Sequence, residues 1–145
     1  MNIYFGGSIT GGRGDVEMYA EFIDFLRRYG TVLTEHIGSV KLTDQGENLT
    51  AKEIHDRDVA WIKEADIVVA DVSVTSLGVG YELGLAVSLR KPVVCLYREN
   101  GKRLSGMIDG CDKIKVVRYA DIEDAKTKLK AHLEQAIAQP PRQTL

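Results

Sequence analysis

Three short segments carry residue types that could do chemistry on a small polar ligand. In Ser76-Leu77-Gly78-Val79-Gly80-Tyr81-Glu82-Leu83-Gly84 the glycines let the chain pass close to a ligand, and Glu82 is expected in the first turn of a helix. The positive end of a helix favours an ionised carboxylate, which can act as a nucleophile. A glutamate kept there only for the helix dipole is the competing reading. Gly6-Gly7-Ser8-Ile9-Thr10-Gly11-Gly12-Arg13-Gly14 joins a strand to a helix, so its backbone N–H groups can converge on an anion. It has neither the Gly-Lys-Ser/Thr of a Walker A loop nor the spacing of a dinucleotide fingerprint. A site for a phosphate or ribose phosphate therefore stands against a plain flexible connection. In Ile54-His55-Asp56-Arg57-Asp58-Val59-Ala60-Trp61-Ile62, Asp58 alone reads as a solvated residue of a helix face. It becomes an acid candidate if its helix points at the same pocket as Glu82. Asp56 and Arg57 read as surface charges, and His36 as a ligand-edge residue or a hydrogen-bonded structural histidine.

The elements that must position these residues follow from periodicity. Short apolar runs at Ile3–Phe5, Thr31–Thr34, Ile67–Ala70, Val93–Tyr97 and Ile114–Val117 read as strands. Between them lie helical patterns over Asp15–Tyr29, from the capping box Thr50-Ala51-Lys52-Glu53 to about Ala65, Tyr81–Leu89 and Ile122–Ile137. Ile54, Trp61, Ile62 and Ala65 form the expected buried stripe of the second helix. Gly38 to Asn48 is polar and long enough for a mobile loop over a site. Strict alternation of strand and helix predicts an α/β fold, a flavodoxin-like three-layer sandwich with a mainly parallel five-stranded sheet in the order 2-1-3-4-5. Ligands of such sheets sit beyond the carboxyl ends of the strands, at the switch point between strands 1 and 3. The first two segments both fall there.

Composition narrows the function classes. The 145 residues suit one domain over 1–139, with 140–145 and its Pro140-Pro141 pair as a disordered tail. A net charge of -2 and the lack of any Lys/Arg stripe argue against polymeric nucleic acid but not against a single nucleotide. Cys95 lies in an apolar run, and no CxxC or His cluster suggests zinc or a disulfide. No stretch is long and apolar enough for a membrane span, and the N-terminus lacks a signal-peptide pattern, so a cytoplasmic protein is expected, with the nucleus an alternative in a eukaryote. Asp71 invites comparison with receiver-domain phosphoacceptors, but Gly6-Gly7-Ser8 occupies the place of the acidic pair that role requires.

Taken in order, Tyr4-Phe5-x-Gly7-Ser8-Ile9-x-Gly11-Gly12-Arg13, Leu33-Thr34-Glu35-His36, Asp58-x-x-Trp61, Ala65-Asp66-x-Val68-Val69-Ala70 and Ser76 to Gly84 resemble one family. It is that of the 2′-deoxynucleoside 5′-phosphate N-hydrolases, relatives of the nucleoside 2-deoxyribosyltransferases. The resemblance runs from Ile3 to about Ile108 and more weakly through the last helix. It implies a catalytic glutamate at Glu82, an acidic partner at Asp58 and a tyrosine near the sugar at Tyr4. It implies 5′-phosphate contacts from Ser8, Gly11, Gly12, Ser76 and Gly78, and a histidine near the base at His36. Leu104-Ser105-Gly106-Met107-Ile108 resembles a segment that enters the neighbouring subunit's site, which implies a homodimer with Ser105 touching phosphate and Met107 beside it. Thr10 departs from the family, which carries arginine there; a phosphate contact is lost unless Arg13 supplies it.

The chemistry so implied is hydrolysis of a deoxynucleoside monophosphate to free base and 2-deoxyribose 5-phosphate, without metal or organic cofactor. Glu82 attacks C1′ and water releases the covalent sugar. Asp58, its pKa raised by the neighbouring Glu82, either protonates the leaving base or orients Glu82. Transfer of the sugar to a second base, and a non-catalytic nucleotide-binding module, are the alternatives.

Overall fold

In the computed structural model, which describes residues 1–9, 15–39 and 47–139, the chain forms a five-stranded sheet in the order β2-β1-β3-β4-β5. The strands are β1 (Asn2–Gly6), β2 (Thr31–Val32), β3 (Ile67–Asp71), β4 (Val93–Arg98) and β5 (Ile114–Tyr119). All four pairings are parallel, with Tyr4 opposite Val68 and Val69 opposite Val94. Parallel neighbours need crossovers, supplied by α1 (Val16–Leu26), α2 (Ala51–Glu64), α3 (Leu77–Ser88) and the segment that contains α4 (Gly106–Asp109); α5 (Ile122–Ala138) closes the chain.

Successive strand residues face opposite sides, and this sorts the core into two. Ile3, Phe5, Ile67, Val69, Val94 and Leu96 pack on α1 and α5. Tyr4, Val68, Ala70, Val93 and Cys95 face α2 and α3, where Ile62, Val79, Leu83 and Ala86 meet them. Tyr4 therefore points away from Phe5 and toward the helices that carry Asp58 and Glu82.

Helix starts follow their caps. Thr50 Oγ1 accepts from the Glu53 N–H at 3.2 Å and donates to the Glu53 carboxylate at 2.9 Å, so Thr50 caps the helix as expected, with the Glu53 side chain on its hydroxyl instead of its N–H. Ser76 caps α3, accepting from the Val79 N–H at 3.3 Å. That helix begins at Leu77, not near Tyr81, so Glu82 belongs to its second turn. The expectation of a first-turn glutamate is thus corrected: a serine cap outweighs the poor helix propensity of Gly78 and Gly80.

Other boundaries differ as well. α1 stops at Leu26 because Arg28 and Tyr29 turn back on Phe25 and Leu26 through i to i−3 bonds. β2 has two residues, since Thr34 turns its hydroxyl onto the Phe5 backbone, donating to its carbonyl at 2.6 Å and accepting its N–H at 2.8 Å. A short 3-10 turn, Glu35–Gly38, follows. Of the expected stripe on α2, Ile62 and Ala65 are buried while Ile54 and Trp61 are half-buried. Thr10, Gly11, Gly12 and Arg13, most of the polar stretch before Asn48 and the tail 140–145 lie outside the described residues.

Candidate active site

Tyr4 from β1, Asp58 from α2 and Glu82 from α3 converge on the α2–α3 side of the sheet's carboxyl edge. The Tyr4 ring is buried and its hydroxyl hydrogen-bonds the Glu82 carboxyl. Gly6 makes room for that carboxyl: a Cβ there would come within 3.2 Å of Glu82 Oε2. Gly7 has a different reason for lacking a side chain, since a Cβ would strike the Tyr19 ring at 2.8 Å. Within the first glycine segment, one glycine serves the acid and the next serves the core.

Burial dominates the electrostatics. It pushes Glu82 up to about 7; the Tyr4 hydrogen bond opposes the shift and the Asp58 charge adds to it. The sequence reading of a carboxylate kept ionised by a helix end is therefore corrected: Glu82 lies past the first turn and is desolvated. Asp58 is also raised, chiefly by burial and against the pull of Arg57. The leading cause is burial rather than the like charge of Glu82 that was expected. Tyr4 is driven far above the ordinary phenol range by burial and by Glu82, so its hydroxyl stays a donor.

Two cavities meet at this pair. One, about 380 Å³, is lined by Gly7, Ile9, Glu47, Ser76, Gly78 and Glu82, with Asp58 and Ile54 at its side. The other, about 290 Å³ and mostly apolar, runs between α2 and α3 past Ile54, His55, Val59 and Tyr81. Ser8, between Gly7 and Ile9 of the first lining, is fully buried, and its hydroxyl has no hydrogen-bond partner among the described residues. A buried hydroxyl without a partner is costly unless a ligand or water completes it.

The structure thus brings Tyr4, Asp58, Glu82, Ser76 and Gly78 together. His36 reaches the rim indirectly: its Nε2 lies 3.0 Å from Glu47 Oε1, and its ring tilts against Trp61 at 5.7 Å. Ser105 and Met107 are elsewhere within the chain. Ser105 caps α4, accepting from the Met107 N–H at 3.3 Å, and both line a third cavity of about 310 Å³ that shares Ser76 and Val79 with the first. Gly11, Gly12 and Arg13 lie outside the described residues.

Sequence reasoning missed two residues. Glu47 had been counted in a loop, and Arg57 as a surface charge. Arg57 instead bonds both Glu47 and Asp58. Nothing local signals this, because Glu47 lies ten residues away and its polar segment has no periodicity.

Comparison with known proteins gives the chain a family. The family described as nucleoside 2-deoxyribosyltransferase matches residues 3–136. A mouse protein named 5-hydroxymethyl-dUMP N-hydrolase is 46% identical over 144 residues, covering 95% of this chain and 83% of its own. A Tetraodon nigroviridis protein of the same name is 53% identical over 115 residues, covering 77% of this chain and 81% of its own. The solved Clostridium botulinum CMP N-glycosidase BcmB has the same fold at 17% identity, with a TM-score of 0.66 over 91% of this chain and 99% of that one. With a family match along nearly its whole length and relatives near half identity, the chain belongs to the nucleoside 2-deoxyribosyltransferase family.

Proposed function

We propose that this enzyme hydrolyses the N-glycosidic bond of 2′-deoxynucleoside 5′-monophosphates, releasing the base and 2-deoxyribose 5-phosphate. The observation that carries the reading is the half-buried Glu82 carboxyl, hydrogen-bonded by Tyr4 and open to a cavity it shares with Asp58. Glu82 in its ionised form attacks C1′ as the bond to the base breaks, and the base takes a proton from Asp58. Water then attacks C1′, gives its proton to Asp58, and Glu82 leaves as the carboxylate. Tyr4 holds the attacking carboxylate in line.

The phosphate is held by Ser8, Ser76 and Gly78, with Gly11, Gly12 and Arg13 from the segment that follows Ser8; the Ser8 hydroxyl, without a partner among the described residues, supports this. His36, tied to Glu47, borders the base. A second copy of the chain completes the site by bringing Ser105 and Met107 to its phosphate end. Exposed apolar residues around the N-terminus of α3 and on α4, Leu77 at 95% and Met107 at 83%, support such an interface. Neither a metal nor an organic cofactor enters the scheme.

Incubating the protein with each deoxynucleoside monophosphate, 5-hydroxymethyl-dUMP first because two relatives bear its name, should release free base and 2-deoxyribose 5-phosphate. Absence of release from every one would overturn the proposal. The family description also admits transfer, so the assay includes an excess of a second nucleobase. Little exchange is expected, and efficient exchange would make the enzyme a transferase.

A further inference from the structure

Arg57 precedes Asp58 on α2, and neighbouring side chains on a helix do not normally face each other. Here they meet. Arg57 Nε donates to Asp58 Oδ1 at 2.9 Å, and NH2 lies 2.9 Å from the same oxygen. The rest of the guanidinium closes on Glu47, NH1 to Oε1 at 2.5 Å and NH2 to Oε2 at 2.7 Å. Its plane lies over Trp61, 4.7 Å from the ring centroid. A planar cation held by two carboxylates and an aromatic face has one arrangement, which lysine cannot reproduce.

Around Asp58 the titratable groups come from every packed element. Tyr4 stands on β1, His36 in the 3-10 turn, Glu47 before α2, His55 and Arg57 on α2, and Tyr81 and Glu82 on α3. Of these, Arg57 carries a positive charge at every working pH.

We propose that Arg57 is a positioning residue for the reaction: by gripping one oxygen of Asp58 it decides which of two half-buried carboxyls, Asp58 or Glu82, holds the proton. The inference rests on the roles given to those two acids above. Both Arg57 contacts fall on Oδ1, so Oδ2 is the oxygen left to give and retake the proton. In the empty site the guanidinium favours the Asp58 carboxylate, which leaves the proton to Glu82. Attack requires the reverse arrangement, with Glu82 ionised and Asp58 protonated. Glu47 moderates the grip by drawing on the same cation.

The test is the pH profile of kcat/KM, whose two limbs report the ionisations of the coupled Asp58–Glu82 pair in the free enzyme. Arg57→Gln should move both limbs upward by about one pH unit, the scale for losing an opposite charge at hydrogen-bond distance. Arg57→Lys, which keeps the charge, should return most of that displacement. Glu47→Gln frees the cation for Asp58 and should move both limbs downward; this opposite sign carries the test if Arg57→Gln does not fold. A rate loss uniform in pH with limbs unmoved would make Arg57 a mere prop and overturn the proposal. Carbon-13 titration of the Asp58 and Glu82 carboxyls in ligand-free protein should show the same displacements without any turnover, and unmoved titrations would overturn it equally. If the wild type released no base at all, the proposed reaction would fail while these titrations still decided the role of Arg57.

Discussion

Two acids stand at the carboxyl edge of this sheet, Asp71 buried and Glu82 half-buried, each paired with a tyrosine, and they have opposite characters. Asp71, at the end of β3, is fully enclosed: Tyr119 donates to Oδ2 at 2.7 Å and the Ser73 N–H to Oδ1 at 2.9 Å. Ser73 in turn accepts the Arg98 N–H at 2.8 Å, so the acid pins the loop after β3 to β4. Glu82 has a similar tyrosine bond but two cavities in front of it. Burial raises both acids. A raised carboxyl is therefore not enough to mark reactivity; both oxygens of Asp71 are spoken for, and space for a reacting carbon exists only at Glu82.

The largest contrast should come from removing the reactive acid. Glu82→Gln should fold and bind nucleotide yet lose turnover by about 10⁴-fold or more, the scale for deleting a nucleophile; retained turnover would return Glu82 to the class of Asp71. The same variant has a signature in stability. Glu82 binds its proton more tightly folded than unfolded, so its stabilising contribution is present below about 4.5 and lost as pH rises through about 7. Urea unfolding should show Glu82→Gln gaining on the wild type between those values, by on the order of 3 kcal/mol.

Next in size is the 5′-phosphate. A deoxynucleoside should release base about a hundredfold more slowly than its monophosphate, because the remote anchor that aligns C1′ with Glu82 is gone. Ser8→Ala and Ser76→Ala should each narrow that gap, and equal rates would place the phosphate site elsewhere.

The matched tyrosines sharpen the comparison. Tyr4→Phe should lower turnover roughly tenfold and move the limb set by Glu82 upward, since a hydrogen bond that favours the Glu82 carboxylate is lost. Tyr119→Phe should leave turnover alone and cost about 1 kcal/mol in chemical denaturation, the net worth of one buried hydrogen bond. Equal kinetic effects would erase the distinction between the two acids.

The smallest effect concerns Gly78. A Cβ there would meet nothing nearer than Ser76 Oγ at 3.8 Å, so Gly78→Ala should stabilise α3 by about 0.5–1 kcal/mol. The methyl enters the cavity shared with Glu82, so KM should rise while kcat holds. An unchanged KM would mean that the ligand does not approach this backbone.

Most of the architecture was legible in the sequence. Continuous β-branched runs such as Ile67-Val68-Val69 identify strands covered on both faces, and their alternation with helices left few topologies to choose from. The α3 start was not legible, because glycine in a first turn reads as loop until a cap is seen to hold it. In the site, the glycine-flanked acid was visible as a segment, whereas its titration was not. Whether a carboxyl is desolvated depends on what lies over it, and the residues over Glu82 come from β1 and α2. The Arg57–Glu47 clamp was invisible for the same reason, since a fork between a helix and a preceding loop leaves no periodic trace.

The interior position of β1 in the sheet has a consequence for how activity first arises during folding. The Asn2 N–H donates to Asp66 Oδ2 at 2.7 Å across 64 positions of sequence, and Tyr4 pairs with Val68. Contacts of such long range repay their loop-closure entropy late, so parallel sheets of this kind fold slowly. Tyr4 cannot reach Glu82 until β1 has docked beside β3 and α3 has closed over both. No partly folded species, such as the β3–α3–β4 unit alone, can then cleave substrate, and recovery of base release during refolding is a clock for the last long-range step. Until that step, Ile3-Tyr4-Phe5 is an unpaired apolar strand, so dilute refolding should favour active enzyme over aggregate.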